Sequence, residues 1–308
     1  MHNIDVLENT LRHKGALLDV LLLDCTTKKN IIWSTESYEK LGKGFGAKMR
    51  ILPDLVTGKF GLLIQPRAAK SLEEQRRRTK DKAEVFTPLK IIKQINKAVE
   101  NQLRDKNNWQ EYVKELKLEI TCGEAPFIVS RYDSTAHTGK IIPINKRVGF
   151  LDGKLKIISK YCHKKDEWLF WAQEAFKASY GYEWQGDNVL LARENLLYTF
   201  IDYYKAKFKQ SPNTSVQKEF AEIISWNIFQ MDGLRYVVPM SCHHEIKVIP
   251  VVWTLFGEIP ATVEKHECEG CKYNRPNKHN GKYVKIMDWS KNKTVRFVDL
   301  SLRREEFN

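Results

Sequence analysis

Apolar residues recur at three- and four-residue spacing in three stretches: DEWLFWAQEAFKASYG from Asp166, NVLLARENLLYTFIDYYKAKF from Asn188, and VQKEFAEIISWNI from Val216. That period predicts three amphipathic helices. Aromatic residues supply much of the apolar face, so Trp168, Trp171, Phe176, Tyr198 and Phe200 are expected in a core rather than against a ligand. Residues 4 to 24 carry a similar helical spacing, and IIWSTESYEKLG then changes to a strand and a turn. EVFTPLKIIKQINKAVENQL predicts a turn that opens a helix, with Pro88 in the first turn, where a missing N–H costs little. STAHTGKIIPINKRVG reads as a loop or hairpin, and strand-like runs return in IKVIPVVWTLFG, GKYVKIMDW and TVRFVDL. Helices inserted between β elements make an α/β sandwich the expected fold class, and neither an internal repeat nor a low-complexity tract interrupts it.

Composition narrows the class. The 308 residues are 42% hydrophobic and 29% charged, the balance of a globular chain rather than a disordered one. The N-terminus carries Asp5 and Glu8 and has charges on both sides of its short apolar run, which fits neither a signal peptide nor a spanning helix, so a cytoplasmic location is expected. Lys and Arg number 51 against 38 Asp and Glu, a net charge of +13. Such an excess suits a polyanionic partner such as DNA or RNA, and equally a basic protein with no such partner. The densest basic run, RAAKSLEEQRRRTKDKAE from Arg67, is either a solvated helix or loop or a DNA-facing segment, in which Arg76, Arg77, Arg78 and Lys80 would neutralise phosphates. It closes an N-terminal unit over residues 1–83, ahead of a main unit over 84–308.

Candidate chemistry begins at EITCGEAPFIVSRYD, Glu119 to Asp133. A strand ending in an acid, then a glycine turn opening a helix, places backbone N–H groups and a helix dipole where a polar ligand can approach. Gly123 is the residue that permits close approach, although an ordinary β–α turn has the same appearance. YGYEWQGDNVLL has the same form, a strand ending in Glu183 before a helix.

Taken together these stretches resemble the bacterial restriction–modification family of N6-adenine DNA methyltransferases. EVFTP, Glu84 to Pro88, resembles the family's Phe-Thr-Pro motif; the stretch from Glu119 sits where its S-adenosylmethionine loop lies; and IISWNIFQMDGLRYVV resembles its Asn-Ile-Tyr-Gly-Val-Asp strand. ITCGEAPFIVSRYD, YGYEWQGDNVLLARENLLYTFIDYY and ISWNIFQMDGL look like a family labelled as the modification subunit of a restriction system. The resemblance covers most of the chain and implies a Rossmann-like, S-adenosylmethionine-dependent methyltransferase sandwich with a helical insert. It implies that Phe86, Thr87 and Pro88 pack on the methionine end of the cofactor, and that Glu119, Cys122 and Gly123 form the loop around it. Glu124 departs from the family, standing where Ser or Gly is common; its carboxylate would engage the cofactor's ammonium group or weaken binding. Either Asp232 or Glu183 would hold the ribose hydroxyls, with Asp232 preferred because more of its neighbours match. Asp288 in VKIMDW would receive the adenine amine.

Adenine methylation in that family also uses an Asp/Asn-Pro-Pro-Tyr/Phe loop to hold the flipped base. The chain has 10 prolines and no Pro-Pro pair. In the family's order the loop follows the strand after Asp288, beyond which little of the sequence is left. The expectation is a split DNA adenine methyltransferase, in which this chain binds the cofactor and a second subunit supplies the catalytic loop, active only as a complex. The alternative is a non-catalytic DNA-binding or regulatory protein on the same fold. Metal-dependent nuclease chemistry lacks its Pro-Asp…Asp/Glu-x-Lys arrangement of carboxylates.

A second site is legible in the tail. Cys268 and Cys271 form a Cys-x-x-Cys knuckle, and Cys242 with His279 or His243 completes four ligands, the set of a closed structural zinc site. It would pin an excursion over residues 240–282 rather than catalyse.

Overall fold

Three short parallel strands organise the chain. A computed structural model describes residues 11–82, 84–101, 108–136, 139–249, 251–254, 257–259 and 262–302. The N-terminal part contains α1 (Gly15–Leu22), the two-residue strands β1 (Leu23–Asp24) and β2 (Lys29–Asn30), then α2 (Leu72–Lys82), α3 (Leu89–Asn101) and α4 (Trp109–Lys114). The central part runs β3 (Lys117–Glu119), α5 (Phe150–Tyr161), α6 (Lys165–Lys177), β4 (Ser179–Glu183), α7 (Gly186–Phe208), α8 (Thr214–Asn227) and β5 (Ile228–Gln230). The tail holds β6 (Glu245–Ile249), β7 (Val252–Thr254), β8 (Gly257–Ile259), β9 (Thr262–His266), α9 (Glu269–Tyr273), β10 (Lys285–Asp288), β11 (Lys293–Arg296) and α10 (Phe297–Leu302).

The sheet order is β3-β4-β5, with Lys117 opposite Ser179 and Gly181 opposite Ile228. Parallel neighbours need long crossovers, which α5 and α6 supply before β4, and α7 and α8 before β5. The three helices read from the apolar period are α6, α7 and α8. Trp168, Phe176 and Phe200 are fully buried, and Trp171 and Tyr198 pack against the same core. Phe200 stacks on Phe220 at 3.7 Å, and Phe176 meets Phe220 edge-on at 5.1 Å. These ring pairs hold α6, α7 and α8 together and add about 0.5–1.5 kcal/mol each beyond area burial. α7 is buried on nearly every side, so its apolar residues cover more than one face. Asn213 caps α8, its side chain accepting the Val216 N–H at 2.9 Å.

The N-terminal segment shares this core: Leu17, Leu21, Ile31 and Trp33 belong to one apolar cluster with Val189 and Phe220, and α1 lies along α8. The boundary expected at residue 83 is therefore no break in packing. The helical spacing of residues 4 to 24 becomes a helix at α1; residues 4–10 lie outside the described part. A smaller cluster of Phe229, Met231, Val238, Val284 and Ile286 fastens the β10–β11 hairpin to the opposite face of the sheet. TVRFVDL splits, because the strand ends at Arg296 and α10 begins at Phe297. The other tail strands form antiparallel ribbons, β6 with β9 and β7 with β8, rather than extending the parallel sheet. Among the described residues, no helix is long and apolar enough to cross a membrane.

Candidate functional site

A cleft of about 960 Å³ opens at the carboxyl ends of β3 and β4, where ligands of parallel sheets are generally received. Glu119 and Glu183, the last residues of those strands, both line it, as do Cys122, Gly123, Phe86 and Thr87. Gly123 adopts φ +53°, and a Cβ there would lie 3.2 Å from the Phe86 ring. The missing side chain thus seats the ring against the loop. Its N–H donates to Glu183 Oε2 at 2.9 Å, while Glu183 Oε1 accepts the Trp184 and Gln185 N–H groups. Burial raises the Glu183 pKa despite these donors. Pro88 immediately precedes α3, its carbonyl accepting from the Ile91 and Ile92 N–H groups.

The loop after β3 departs from the expected strand–turn–helix. Residues 120–134 run as successive turns, with Thr121, Gly123 and Ala125 all at positive φ. Glu119 folds them back, its two oxygens accepting the Phe127 and Ile128 N–H groups at 3.3 and 3.0 Å. No helix dipole therefore faces the cleft from this loop, and Glu119 is committed to holding the loop. Burial pushes its carboxyl up to about 8, against the two backbone donors. Glu124 turns away from the cleft. It is 1% exposed and accepts the Arg67 N–H at 2.6 Å and the Tyr132 hydroxyl at 2.7 Å, a structural role that excludes contact with a cofactor's ammonium group.

Of the two candidate ribose acids, only Glu183 lines this cleft. Asp232 lies outside the cleft and closes its own turn, accepting the Leu234 and Arg235 N–H groups, with the Arg235 guanidinium 3.6 Å away. Asp288 also stands elsewhere: it closes the β10–β11 turn by accepting from Ser290 and Lys291, and borders a groove on the opposite face. Arg78 is likewise withdrawn from the expected DNA-binding set. It is 2% exposed, pairs with both oxygens of Glu84 at 2.8 Å and reaches Asp187 at 2.9 Å. Arg78 holds both carboxylates below their ordinary range against the opposing effect of burial. Arg76, Arg77 and Lys80 stay exposed on α2.

Residue patterns alone did not single out two further groups. Gln185 and Asn188, at the start of α7, line the cleft, and each has a buried side-chain oxygen without a donor. Asn188 is oriented by its amide, which donates to Glu84 Oε1 at 2.9 Å. Tyr38 donates to Asp187 at 2.7 Å, completing a network that fixes EVFTP against α7. Buried acceptors without donors are costly, and a ligand bearing N–H or O–H groups would satisfy them.

The second site assembles as a Cys3His cluster. Cys242, Cys268, Cys271 and His279 bring their ligand atoms within 4.8 Å of one another, and the three Sγ atoms stand 3.6–3.7 Å from His279 Nδ1. Metal–sulfur and metal–nitrogen bonds of ordinary length at a tetrahedral angle would give about 3.5 Å, so the set is spaced to hold a metal ion. His243 is not part of it: its Nδ1 faces the Ser241 carbonyl in an exposed position. Gly270 is required by close approach, since a Cβ there would come within 2.7 Å of the His279 ring and backbone N. The Asn280 N–H donates to Cys268 Sγ and the His279 N–H to the Tyr283 hydroxyl, fixing the loop that presents His279.

Comparison with protein-family models, curated proteins and solved structures gives no match to this chain.

Proposed function

We propose that the chain is the S-adenosylmethionine-binding subunit of a split N6-adenine DNA methyltransferase. One observation carries the reading: Phe86 and Thr87 of the Phe-Thr-Pro segment, the Gly123 loop and Glu183, which the family resemblance named separately, line one cleft at the strand ends. The groups there suit such a ligand. Glu183 Oε2 accepts one backbone donor and retains capacity for a ribose hydroxyl, and the oxygens of Gln185 and Asn188 want donors that hydroxyl and amine groups would provide. Glu183 therefore replaces Asp232 as the ribose acid. Phe86, seated on Gly123, offers a ring face or edge to the ligand. A cleft of this size suits a nucleoside-sized molecule.

When bound, the cofactor supplies an electrophilic methyl group on a sulfonium. This chain's part is to orient that donor and exclude water around it, because in-line displacement is helped mainly by positioning. The Asn-Pro-Pro-Tyr loop that holds adenine belongs to the partner. Arg76, Arg77 and Lys80 of α2 are the residues proposed to meet the DNA backbone. The Cys3His cluster is proposed to hold structural zinc, four ligands leaving no open position for catalysis.

Titration calorimetry with S-adenosylmethionine tests the reading. One site per chain is expected, with Glu183→Ala weakening it roughly tenfold or more, the loss of a charge-assisted hydrogen bond, while Asp232→Ala leaves it unchanged. Absence of binding heat would leave a cofactor-free DNA-binding protein. DNA methylation by the purified chain alone would refute the division of labour.

A further inference from the structure

The two edges of the parallel sheet are treated differently. All three residues of β5 are buried, and the N-terminal segment lies against it, Gln230 exchanging side-chain hydrogen bonds with the N–H and C=O of Ile32 at 2.9 and 2.8 Å. Among the described residues, nothing pairs with the outer edge of β3. The Lys117 N–H is directed inward to the Ala178 carbonyl, so by alternation the N–H and C=O of Leu118 point outward. The side chains along this edge are apolar and open: Leu116 is 73% exposed, Leu118 43% and Ile120 63%.

Two cavities meet at this edge. The cleft described above lies on one side, and a groove of about 840 Å³ lined by Tyr180, Tyr182 and Trp289 lies on the other. Leu116, Leu118 and Ile120 border both. A strand laid along the edge would send successive side chains alternately into the two cavities, so it would be apolar at consecutive positions, as strands covered on both faces are. Ile95 and Val99, spaced four apart and exposed on α3, give it an apolar wall on the cleft side.

We infer that the outer edge of β3 receives a strand from a second, different polypeptide, running parallel to β3. A second copy of this chain fits the edge poorly. It would pair β3 with β3 antiparallel, bringing together two molecules of net charge +13, with exposed Lys114, which lines the groove, at both edges. An apolar strand carried by an acidic polypeptide suits the same net charge. A parallel strand would end beside Gly123 and Glu183, so the loop after it would close the mouth of the cleft. That this loop is the Asn-Pro-Pro-Tyr element rests on the function proposed above; the docking rests on the edge alone.

Photo-crosslinking of the tagged full chain in its native cells tests it, with the crosslinking residue replacing Ile95 on α3 and, as a control, the exposed Leu62, which borders neither cavity. The expected product from position 95 is a crosslink to one other polypeptide, mapped by mass spectrometry to an apolar strand followed by Asn/Asp-Pro-Pro-Tyr/Phe. Leu116→Asp with Ile120→Asp, both at exposed positions, should reduce it roughly tenfold or more at unchanged unfolding temperature. Leu118→Pro, which removes an outward N–H, should do the same. A crosslink to an apolar strand without that motif would sustain the docking and sink the methyltransferase assignment. A crosslink to a second copy of this chain, no crosslink at position 95, or equal yield from the two aspartate substitutions would overturn the inference.

Discussion

Glu119 is a carboxylate held against its surroundings. Burial pushes its folded carboxyl up to about 8, from an ordinary glutamate value of 4.5. Between those values the folded state keeps a proton that the unfolded state has released, so its contribution to stability is full below the lower value and lost as pH rises through the upper one. The slope is at most about 1.4 kcal/mol per pH unit. Thermal unfolding from about pH 5 to pH 8 should show a midpoint that falls with pH, and Glu119→Gln should fall less steeply. Equal slopes in the two proteins would mean that Glu119 titrates normally. At this scale the sequence exposed Glu119, Cys122, Gly123 and Glu183, because strand-end acids and turn glycines leave a pattern. It could not separate Glu183 from Asp232, nor foresee Glu124 turning inward, since a carboxylate's role depends on which donors the fold brings to it. Gln185 and Asn188 left no pattern at all; only their unpartnered buried oxygens in the folded cleft mark them.

Whole elements were legible where their periods were long. α6, α7 and α8 follow the apolar spacing, whereas the turn-rich segment after β3 defeated it because Glu119 captures the N–H groups that would have begun a helix. The basic run becomes α2, and its helical turn divides the charges: Arg78 faces Glu84 and Asp187, while Arg76, Arg77 and Lys80 face solvent. If α2 meets DNA, replacing those three with alanine should weaken binding about equally for all sequences and flatten the salt dependence by about one unit of log–log slope for each phosphate no longer neutralised. An unchanged slope would place the DNA elsewhere. The knuckle that begins at Cys268 offers another test. Gly270→Ala should reduce metal affinity roughly 10–100-fold, the usual effect of disturbing groups around a metal's ligands. Stripping metal with a strong chelator should release one equivalent and increase hydrogen exchange over residues 242–283, leaving β3, β4 and β5 protected. Uniform loss of protection would give the cluster a global role instead.

At the level of the whole molecule, an α/β chain with helices between strands was correctly anticipated, and so was the four-residue cluster in the tail, whose Cys-x-x-Cys spacing is legible whatever the fold around it. The joining of residues 11–82 to the main core was not, because α1 packs on α8 and the Trp33 carbonyl accepts from the Gly186 N–H, across sequence separations beyond the reach of local pattern. The sealed β5 edge carries a consequence of its own. A sheet with two open edges can grow without limit, each added molecule offering a fresh site to the next. This one has a stopper at β5, so a strand added at β3 would end growth through the parallel sheet after a single event, giving a closed pair rather than a filament.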